Sequence, residues 1–250
     1  MPSKKSSPIS SAVAFLLFSI VFIVLIATLL SAWKFFENKL VPTVGESPND
    51  PALPENRPVI IIDAGHGGAD GGAVGGGLIE KELNLDIAKK LQNLLTDAGH
   101  KVIMTRTEDI MLSDPMITSS KKAGDLYARL KIAKSVENAV FVSIHMNAFS
   151  NSKYFGLQVY YSQNDEKSAG LAKVIQDNVK ASLQPENERK IKAATDSIYL
   201  LHKAPCPAVM IECGFLSNAK DCSLLGSEEY RAKLADIIYN SVEEYICENY

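Results

Sequence analysis

Short runs of apolar residues recur along the chain after residue 58. Three of them, VIII from Val59, AVFVSI from Ala139 and AVMI from Ala208, contain almost no polar residue. Strands that are buried on both faces, as in the middle of a parallel sheet, show such continuous runs instead of an alternation of apolar and polar residues. With two weaker runs they predict five strands, namely Val59–Asp63, Lys101–Thr105, Ala139–His145, Gly156–Tyr161 and Ala208–Glu212.

Between these runs the apolar residues have the spacing of one helix face. The clearest case has apolar residues at positions 83, 87, 91, 94 and 98, and Gly99 directly after them provides a stop. Three other stretches show the same spacing. The predicted helices are Lys81–Ala98, Leu126–Val136, Lys167–Leu183 and Ser227–Cys247.

Two further stretches are less regular. Thr107–Gly124 has little pattern and is predicted to form a long loop with room for a short helix, and Ser197–Leu201 is predicted to add a strand. Strands that alternate with helices indicate an α/β fold. We therefore expect a three-layer sandwich, with a mostly parallel (mixed) sheet and helices on both of its faces.

The N-terminus has the features of a membrane anchor. Residues 11–32 carry no charge, and about 20 apolar residues are enough for a helix to span a bilayer. Because Lys4 and Lys5 precede this run, the positive-inside rule places residues 1–10 in the cytoplasm and the rest of the chain outside it. A cleaved signal peptide has an apolar region of only about 7 to 15 residues. We therefore expect an uncleaved signal anchor.

The chain after the anchor divides into a linker and a domain. Residues 33–57 are rich in proline and have no apolar periodicity, which predicts an extended, stiffened linker. Residues 58–250 form the predicted folded domain. The protein is thus expected in the cell envelope, anchored in the membrane with this domain outside the cytoplasm.

Composition argues against nucleic-acid binding and against a zinc site made of cysteines. After residue 40 the chain holds 22 basic and 28 acidic residues, whereas nucleic-acid binders normally show a basic face. The four cysteines lie in the last fifth of the chain and form no C-x-x-C pair, which argues against a cysteine zinc site. We expect buried free thiols at Cys206, Cys213, Cys222 and Cys247.

Residues that can bind a metal stand where three core strands end. The first strand ends in Asp63-Ala-Gly-His66, the third in Ser-Ile-His145-Met-Asn147, and the last in Ile-Glu212-Cys-Gly. In open α/β sheets, ligands bind beyond the carboxyl ends of the strands. Two histidines and one carboxylate form the catalytic type of zinc site, which leaves a fourth position for water.

Spacing alone does not identify the carboxylate of this site. Glu212 can serve either as a ligand or as a base. A glycine-rich loop after His66 leads into the first predicted helix and brings Glu80, Glu82 and Asp70 into the same region. Glutamates are also common in first turns because the helix dipole favours negative charge there.

Other familiar patterns are absent from the sequence. The glycines match neither a phosphate-binding loop nor the dinucleotide fingerprint, and neither H-E-x-x-H nor G-x-S-x-G occurs. The remaining histidines are weaker candidates. His100 lies in a turn and is expected to be exposed, while His202 follows a short apolar run that could direct it towards the site.

Four motifs together resemble the N-acetylmuramoyl-L-alanine amidase family of the amidase 3 type. They are IIIDAGHGGADGGAVGGGLIEKELNLDIAKKL from Ile60, VIMTR from Val102, FVSIHMNA from Phe141 and PAVMIECGFLSN from Pro207. The similarity covers about Val59–Tyr245. The segment after MTR and the closing LLGSEEY are most similar to the germination-specific CwlD-type amidases of spore-forming bacteria.

The resemblance implies the roles that spacing leaves open. It implies one zinc ion per chain, bound by His66, Glu80 and His145 at the strand ends, with Glu212 as the catalytic carboxylate. The implied reaction is hydrolysis of the amide between N-acetylmuramic acid and L-alanine of peptidoglycan, in remodelling of the cell wall or spore cortex. Arg106 and Asn147 also lie in these motifs, where they are assigned no more than a structural or substrate-contact role.

Three alternatives remain open at this point. A zinc peptidase acting within the stem peptide would use the same metal chemistry. A catalytically silent wall-binding or activator domain would usually have lost metal or base positions, yet all four are present. The enzyme could also depend on an activating protein partner that loads zinc or opens the site.

Overall fold

The computed structural model describes residues 56–114, 116–117 and 120–250, together with residues 22, 26 and 28. The chain divides into two units, Met1–Ala52 and Leu53–Tyr250, and the sheet and its helices belong to the second. The predicted cytoplasmic segment, anchor and linker lie outside the described residues, apart from positions 22, 26, 28, 56 and 57. Within the described part of the chain, no helix combines the length and the apolar character that crossing a membrane requires.

Six of the eight described strands form one mixed sheet. The strands are β1 Val59–Ala64, β2 Val74–Gly75, β3 Leu78–Ile79, β4 Val102–Met104, β5 Ala139–Asn147, β6 Gln158–Tyr161, β7 Lys192–Ala193 and β8 Ala208–Phe215. The order in the sheet is β4-β1-β5-β8-β6-β7, and β2 pairs with β3 in a separate hairpin. All neighbours in the large sheet are parallel except β6 and β8, which are antiparallel.

Helices cover both faces of this sheet. Those of the described chain are α1 Glu80–Asp97, α2 Lys121–Lys134, α3 Ser168–Ser182, α4 Tyr199–Lys203, α5 Ala219–Gly226 and α6 Glu228–Asn249. The larger apolar cluster joins one face of the sheet to α1, α3 and α6, and the smaller one joins the other face to α2 and α4. The expected three-layer α/β sandwich is confirmed.

The continuous apolar runs are explained by burial on two sides. Ile60 and Ile62 face the larger cluster, whereas Ile61 between them faces the smaller one, and all three are fully buried. A strand in this position has no solvent-facing side that could carry polar residues. The five strands predicted from such runs are all present.

One prediction about secondary structure is wrong, and the end of the predicted long loop differs by a few residues. Ser197–Leu201 is not a strand, because the backbone N–H of His202 donates to the carbonyl of Ile198 and a single helical turn, α4, forms there. The long loop is shorter than predicted, since α2 starts within it. Ser120 caps α2 by accepting a hydrogen bond from the N–H of Ala123, in a stretch without an apolar pattern.

The prediction that His100 is exposed is also wrong. Its side chain is fully buried and its Nε2 atom contacts the carboxylate of Glu243 on α6 and, at 3.2 Å, the guanidinium of Arg57. Helix α6 packs against α1 and thereby covers the turn that carries His100. The burial therefore depends on a contact between residues that are far apart in the sequence.

The cysteines allow a simple test of this packing. All four are free and three are buried, as predicted, but the predicted burial of Cys247 is wrong, because it lies on the solvent-exposed side of α6. Burial raises the pKa of Cys206 to about 12, and burial also raises the pKa of Cys213. We expect a thiol-specific chromogenic reagent at pH 8 to titrate one thiol per native chain quickly and four after denaturation. Cys247→Ser should remove the fast reaction, and fast reaction of a second thiol would contradict the packing.

Candidate metal centre and catalytic cleft

Three elements bring the predicted metal ligands to one edge of the sheet. His66 lies in the turn after β1, and His145 lies near the end of β5, the parallel neighbour of β1. Because parallel strands end at the same edge, the two imidazoles meet there. Glu80 is the first residue of α1, and the β2–β3 hairpin that directly precedes it in the chain leads it to this edge.

The three side chains form a tight cluster. Nε2 of His66 lies 3.2 Å from Oε1 of Glu80, and Nδ1 of His145 lies 3.0 Å from the same oxygen. The imidazole rings are 5.0 Å apart and meet edge to face. The potential ligand atoms of the three residues all lie within 4.8 Å of one another. In the structure, Glu80 is thus the carboxylate that joins the two histidines.

This arrangement fits a small divalent cation with nitrogen and oxygen ligands. Zinc binds such ligands at about 2.0–2.1 Å, so a tetrahedral ion has ligand atoms about 3.3 Å apart. The two separations from Glu80, 3.2 Å and 3.0 Å, are close to that value. Three protein ligands would leave one position for water or substrate, as in catalytic zinc sites.

Glu80 is held in place by backbone and side-chain donors. Its Oε2 accepts a hydrogen bond from the N–H of Ala73 at 2.7 Å, and its Oε1 accepts from the N–H of Met146 at 3.0 Å and from the amide of Asn84 at 3.3 Å. Burial by itself would raise the pKa of Glu80, but hydrogen bonds and charge from His145 and His66 lower it far below its usual range. Glu80 is therefore ionised, as a metal ligand has to be.

The other two candidate carboxylates take different places. Oδ2 of Asp70 lies 3.0 Å from Nδ1 of His66, on the side of the ring that faces away from Glu80. A carboxylate at that position commonly orients a metal-ligating histidine. Glu82 is exposed on α1.

Glu212 lies directly beside the cluster. It stands opposite His145 in the parallel pairing of β5 with β8. Its Oε2 is buried without a hydrogen-bond partner among the described residues. Burial raises the pKa of Glu212 to about 6, helped by the negative charge of Glu80, while His145 and His66 act in the opposite direction. A half-buried carboxylate with a free oxygen and a pKa near neutrality can accept and release protons.

His66, His145 and Glu212 border a cleft on the face of the sheet that carries the smaller apolar cluster, which is called the smaller face below. The cavity has a volume of about 620 Å³ and is bordered by the start of α2 on one side and by the segment 192–200 on the other. Its wall combines basic, hydroxyl and apolar side chains, among them Lys122, Leu126, Tyr160, Thr195, Tyr199 and Met210. Such a cleft can hold a polar substrate next to the metal site.

Comparison with known proteins identifies the family. The model of the N-acetylmuramoyl-L-alanine amidase family (amidase 3) matches residues 60–244. The chain belongs to this family. It is therefore an N-acetylmuramoyl-L-alanine amidase, an enzyme that acts on peptidoglycan.

Similar proteins come from several bacteria. The amidase is 38% identical to the germination-specific N-acetylmuramoyl-L-alanine amidase of Bacillus subtilis over 199 residues, which cover 79% of this chain and 83% of that protein. The solved structure of the CwlD amidase from Clostridioides difficile, in complex with the GerS lipoprotein, has 40% identity and a TM-score of 0.73, with 77% of this chain and all of that chain (100%) covered. The amidase AmiC2 of Nostoc punctiforme has 30% identity and a TM-score of 0.66, with 76% and 97% covered.

A buried ion pair beneath the candidate site was not foreseen from the sequence. The carboxylate of Asp63, at the end of β1, accepts hydrogen bonds from Arg129 at 2.7 Å, Ser143 at 2.6 Å and Thr105 at 2.8 Å. Arg129 is almost fully buried. A signal was present in the sequence, since Arg129 lies three residues after Leu126 and thus on the apolar face of the predicted helix.

The remaining sequence candidates lie outside the cleft or support its backbone. Arg106 is buried and all its hydrogen bonds within the described chain go to backbone carbonyls. The carbonyl of Asn147 accepts a hydrogen bond from the N–H of Leu216 after β8. His202 is exposed on α4 and does not border the cleft.

The raised pKa of Glu212 predicts a pH-dependent cost to stability. Its folded-state pKa of about 6 lies above the ordinary 4.5, so its contribution to stability is fully present below pH 4.5 and is lost as the pH rises through 6. We expect Glu212→Gln to stabilise the metal-free amidase by about 1 kcal/mol more at pH 7.5 than at pH 5. Denaturant unfolding in the presence of a chelator measures this difference.

A matched control uses an exposed glutamate. Glu229 contacts Lys233 on the surface of α6, so Glu229→Gln removes a carboxylate without burial. Its effect on the free energy of unfolding should not increase between pH 5 and pH 7.5. An equal effect of Glu212→Gln at both pH values would show that its carboxyl group titrates normally.

Proposed function

We propose that this amidase is a zinc enzyme in which His66, Glu80 and His145 hold the ion and Glu212 is the catalytic acid–base. The proposed reaction is hydrolysis of the amide between the lactyl group of N-acetylmuramic acid and L-alanine. When bound, zinc lowers the pKa of water to about 7 and polarises a carbonyl oxygen. The proposed stoichiometry is one bound zinc ion per chain.

The observation that carries this proposal is the free oxygen of Glu212 next to the His–Glu–His cluster. A buried polar atom without a partner is costly in a folded protein, by about 1–3 kcal/mol. Such an atom is usually retained because a ligand, a water molecule or a reaction uses it. Here the partnerless Oε2 belongs to a side chain that borders the same cleft as His66 and His145.

The chain's own groups account for the proton transfers. With a pKa of about 6, Glu212 is mostly ionised at neutral pH and can take a proton from the attacking water. The same carboxyl group then passes the proton to the nitrogen of L-alanine as the carbon–nitrogen bond breaks. The products are a glycan strand with a free lactyl carboxylate and a stem peptide with a free amino terminus.

The proposed setting is the outer face of a membrane in a spore-forming bacterium. Residues 11–32 are proposed to be an uncleaved anchor, with residues 1–10 in the cytoplasm and residues 33–57 as a linker to the domain. A role in spore cortex or germination is supported by the name of the relative from Bacillus subtilis. A partner protein at the membrane is included because the CwlD amidase was solved in complex with the GerS lipoprotein.

The test of the mechanism is Glu212→Gln in zinc-loaded protein. We expect bound zinc to stay near one equivalent while turnover of purified peptidoglycan falls by about 10²–10⁴-fold, since a positioned acid–base contributes that much. Mass spectrometry of peptidoglycan digested by the wild-type protein should show bare glycan and peptides that begin with alanine. His66→Ala should lose both zinc and activity.

Three outcomes would count against parts of the proposal. Near-normal turnover by Glu212→Gln would remove this residue from the reaction. Peptide fragments still attached to muramic acid would indicate a zinc peptidase instead. Glu229→Gln makes the same chemical change on the surface of α6, and a similar loss of turnover there would make the effect unspecific.

The membrane topology can be tested through Cys247, the exposed thiol of the described chain. With the full chain in a Gram-negative host, a small membrane-impermeant maleimide should label Cys247 in intact cells, since the domain would face the periplasm. Cys247→Ser should abolish the label. Labelling only after the inner membrane is permeabilised would place the domain in the cytoplasm, and an intact mass without the first 32 residues would show cleavage.

A further inference from the structure

Two arginines bind three consecutive carbonyl groups of the turn that carries His66. Arg129 donates to the carbonyl of Ala64 at 2.7 Å and to that of His66 at 2.6 Å. Arg106 donates to the same Ala64 carbonyl at 2.8 Å and to the carbonyl of Gly65 at 2.9 Å. The backbone of the turn is therefore fixed from two sides by groups that come from different parts of the chain.

This turn has an unfavourable backbone conformation. His66 has a φ of +60°, and a residue with a Cβ atom in this left-handed region costs on the order of 1 kcal/mol or more. The turn is also pressed against the second histidine, because a Cβ atom on residue 65 would lie 2.3 Å from the ring of His145. Such a conformation persists only when surrounding groups hold it.

The charges of the two arginines oppose a metal at this site. Arg129 is paired with Asp63 and Asp125, but Arg106 donates only to carbonyls within the described chain, and burial and the charge of Arg129 lower its pKa. By Coulomb's law a nearby buried cation weakens the binding of another cation. The benefit of these groups to a metal site therefore has to be geometric.

We infer that Arg129 and Arg106 are positioning residues that clamp the carbonyls of residues 64–66, so that His66 presents Nε2 to the metal beside Glu80. The inference rests on the proposed zinc site. It goes beyond that proposal, because it assigns a function to two arginines that are not metal ligands themselves.

Substitutions of the two arginines can distinguish a geometric effect on zinc binding from an electrostatic one. Arg106→Gln removes a positive charge without leaving a carboxylate unpaired, so electrostatics alone predicts tighter zinc binding, whereas loss of the clamp predicts weaker binding. Arg129→Lys keeps the charge but loses the fork that reaches two carbonyls and two carboxylates. A purely electrostatic role thus predicts no change for Arg129→Lys.

The experiment measures zinc affinity by competition with a chromophoric chelator, together with the unfolding temperature of the zinc-free protein. We expect both variants to raise the Kd for zinc about 10–100-fold, the usual effect of losing groups that orient a metal ligand. Excess zinc should restore part of the kcat of each variant, while its KM for peptidoglycan changes little. If Arg129→Lys fails to fold, Arg106→Gln alone carries the test, because it breaks no ion pair.

Arg231→Lys is the matched control. Arg231 also binds one carboxylate, that of Asp86, and two carbonyls, those of Leu225 and Gly226, but on α6 away from the cleft. Its unfolding temperature should fall while its Kd for zinc stays within about twofold, as expected for a loss of packing that does not reach a metal ligand.

The outcomes separate the inference from the proposed function. Folded variants that bind zinc as tightly as the wild type, or more tightly, would overturn the clamp. Wild-type protein that binds zinc no better than His66→Ala would overturn both the ligand assignment and the clamp. Wild-type protein that binds zinc through His66 but releases no peptide would contradict only the proposed reaction.

Discussion

The buried ion pair between Asp63 and Arg129 is the interaction on which the site depends. It joins β1 to α2, and the same carboxylate also accepts hydrogen bonds from Ser143 on β5 and from Thr105 after β4. Burying two charges costs several kcal/mol for each ion and is offset only when every donor and acceptor is used. That condition is met here, because the remaining donors of Arg129 reach Asp125 and two carbonyls. Burial alone would raise the pKa of Asp63, yet the adjacent guanidinium keeps it below its usual range. The pair therefore stays charged, and it holds together the elements that deliver both histidines.

The sandwich divides stability and chemistry between the two faces of its sheet. The larger apolar cluster, with α1, α3 and α6, provides most of the core. The smaller cluster ends below the carboxyl edge, so that α2 and α4 flank a cleft instead of closing it. Side chains point alternately to the two faces of the sheet along a strand. His145 and Glu212 are paired with each other across β5 and β8, and both point to this smaller face. The face that contributes less apolar burial is thus the one that accommodates a strained turn and an unpaired carboxylate oxygen.

Sequence patterns predicted what local residues determine, and failed where distant residues decide. Central strands were recognisable because burial on two sides leaves no polar position in the run. Short elements such as α4 and α5 contain too few residues for a period to appear, and an N-cap such as Asn218 is then the only local signal. The exposure expected for His100 was reversed by α6, which begins more than one hundred residues later. Arg129 could have been noticed as a charge on an apolar helix face, but its partner Asp63 could not be identified without the fold.

The candidate site shows the same division at the level of single residues. Strand ends were enough to single out His66, His145 and Glu212, because parallel strands bring their carboxyl ends together. Glu80 came only from the family resemblance, since its position depends on how the glycine-rich loop folds back. At residue 72 a Cβ atom would lie 2.4 Å from Oε2 of Glu80, and the φ of +67° suits glycine. The loop can therefore wrap closely around the carboxylate, and it directs Asp70 to the far side of His66. A sequence pattern records that the loop is rich in glycine, but only the folded loop determines which of its neighbouring carboxylates reaches the two imidazoles.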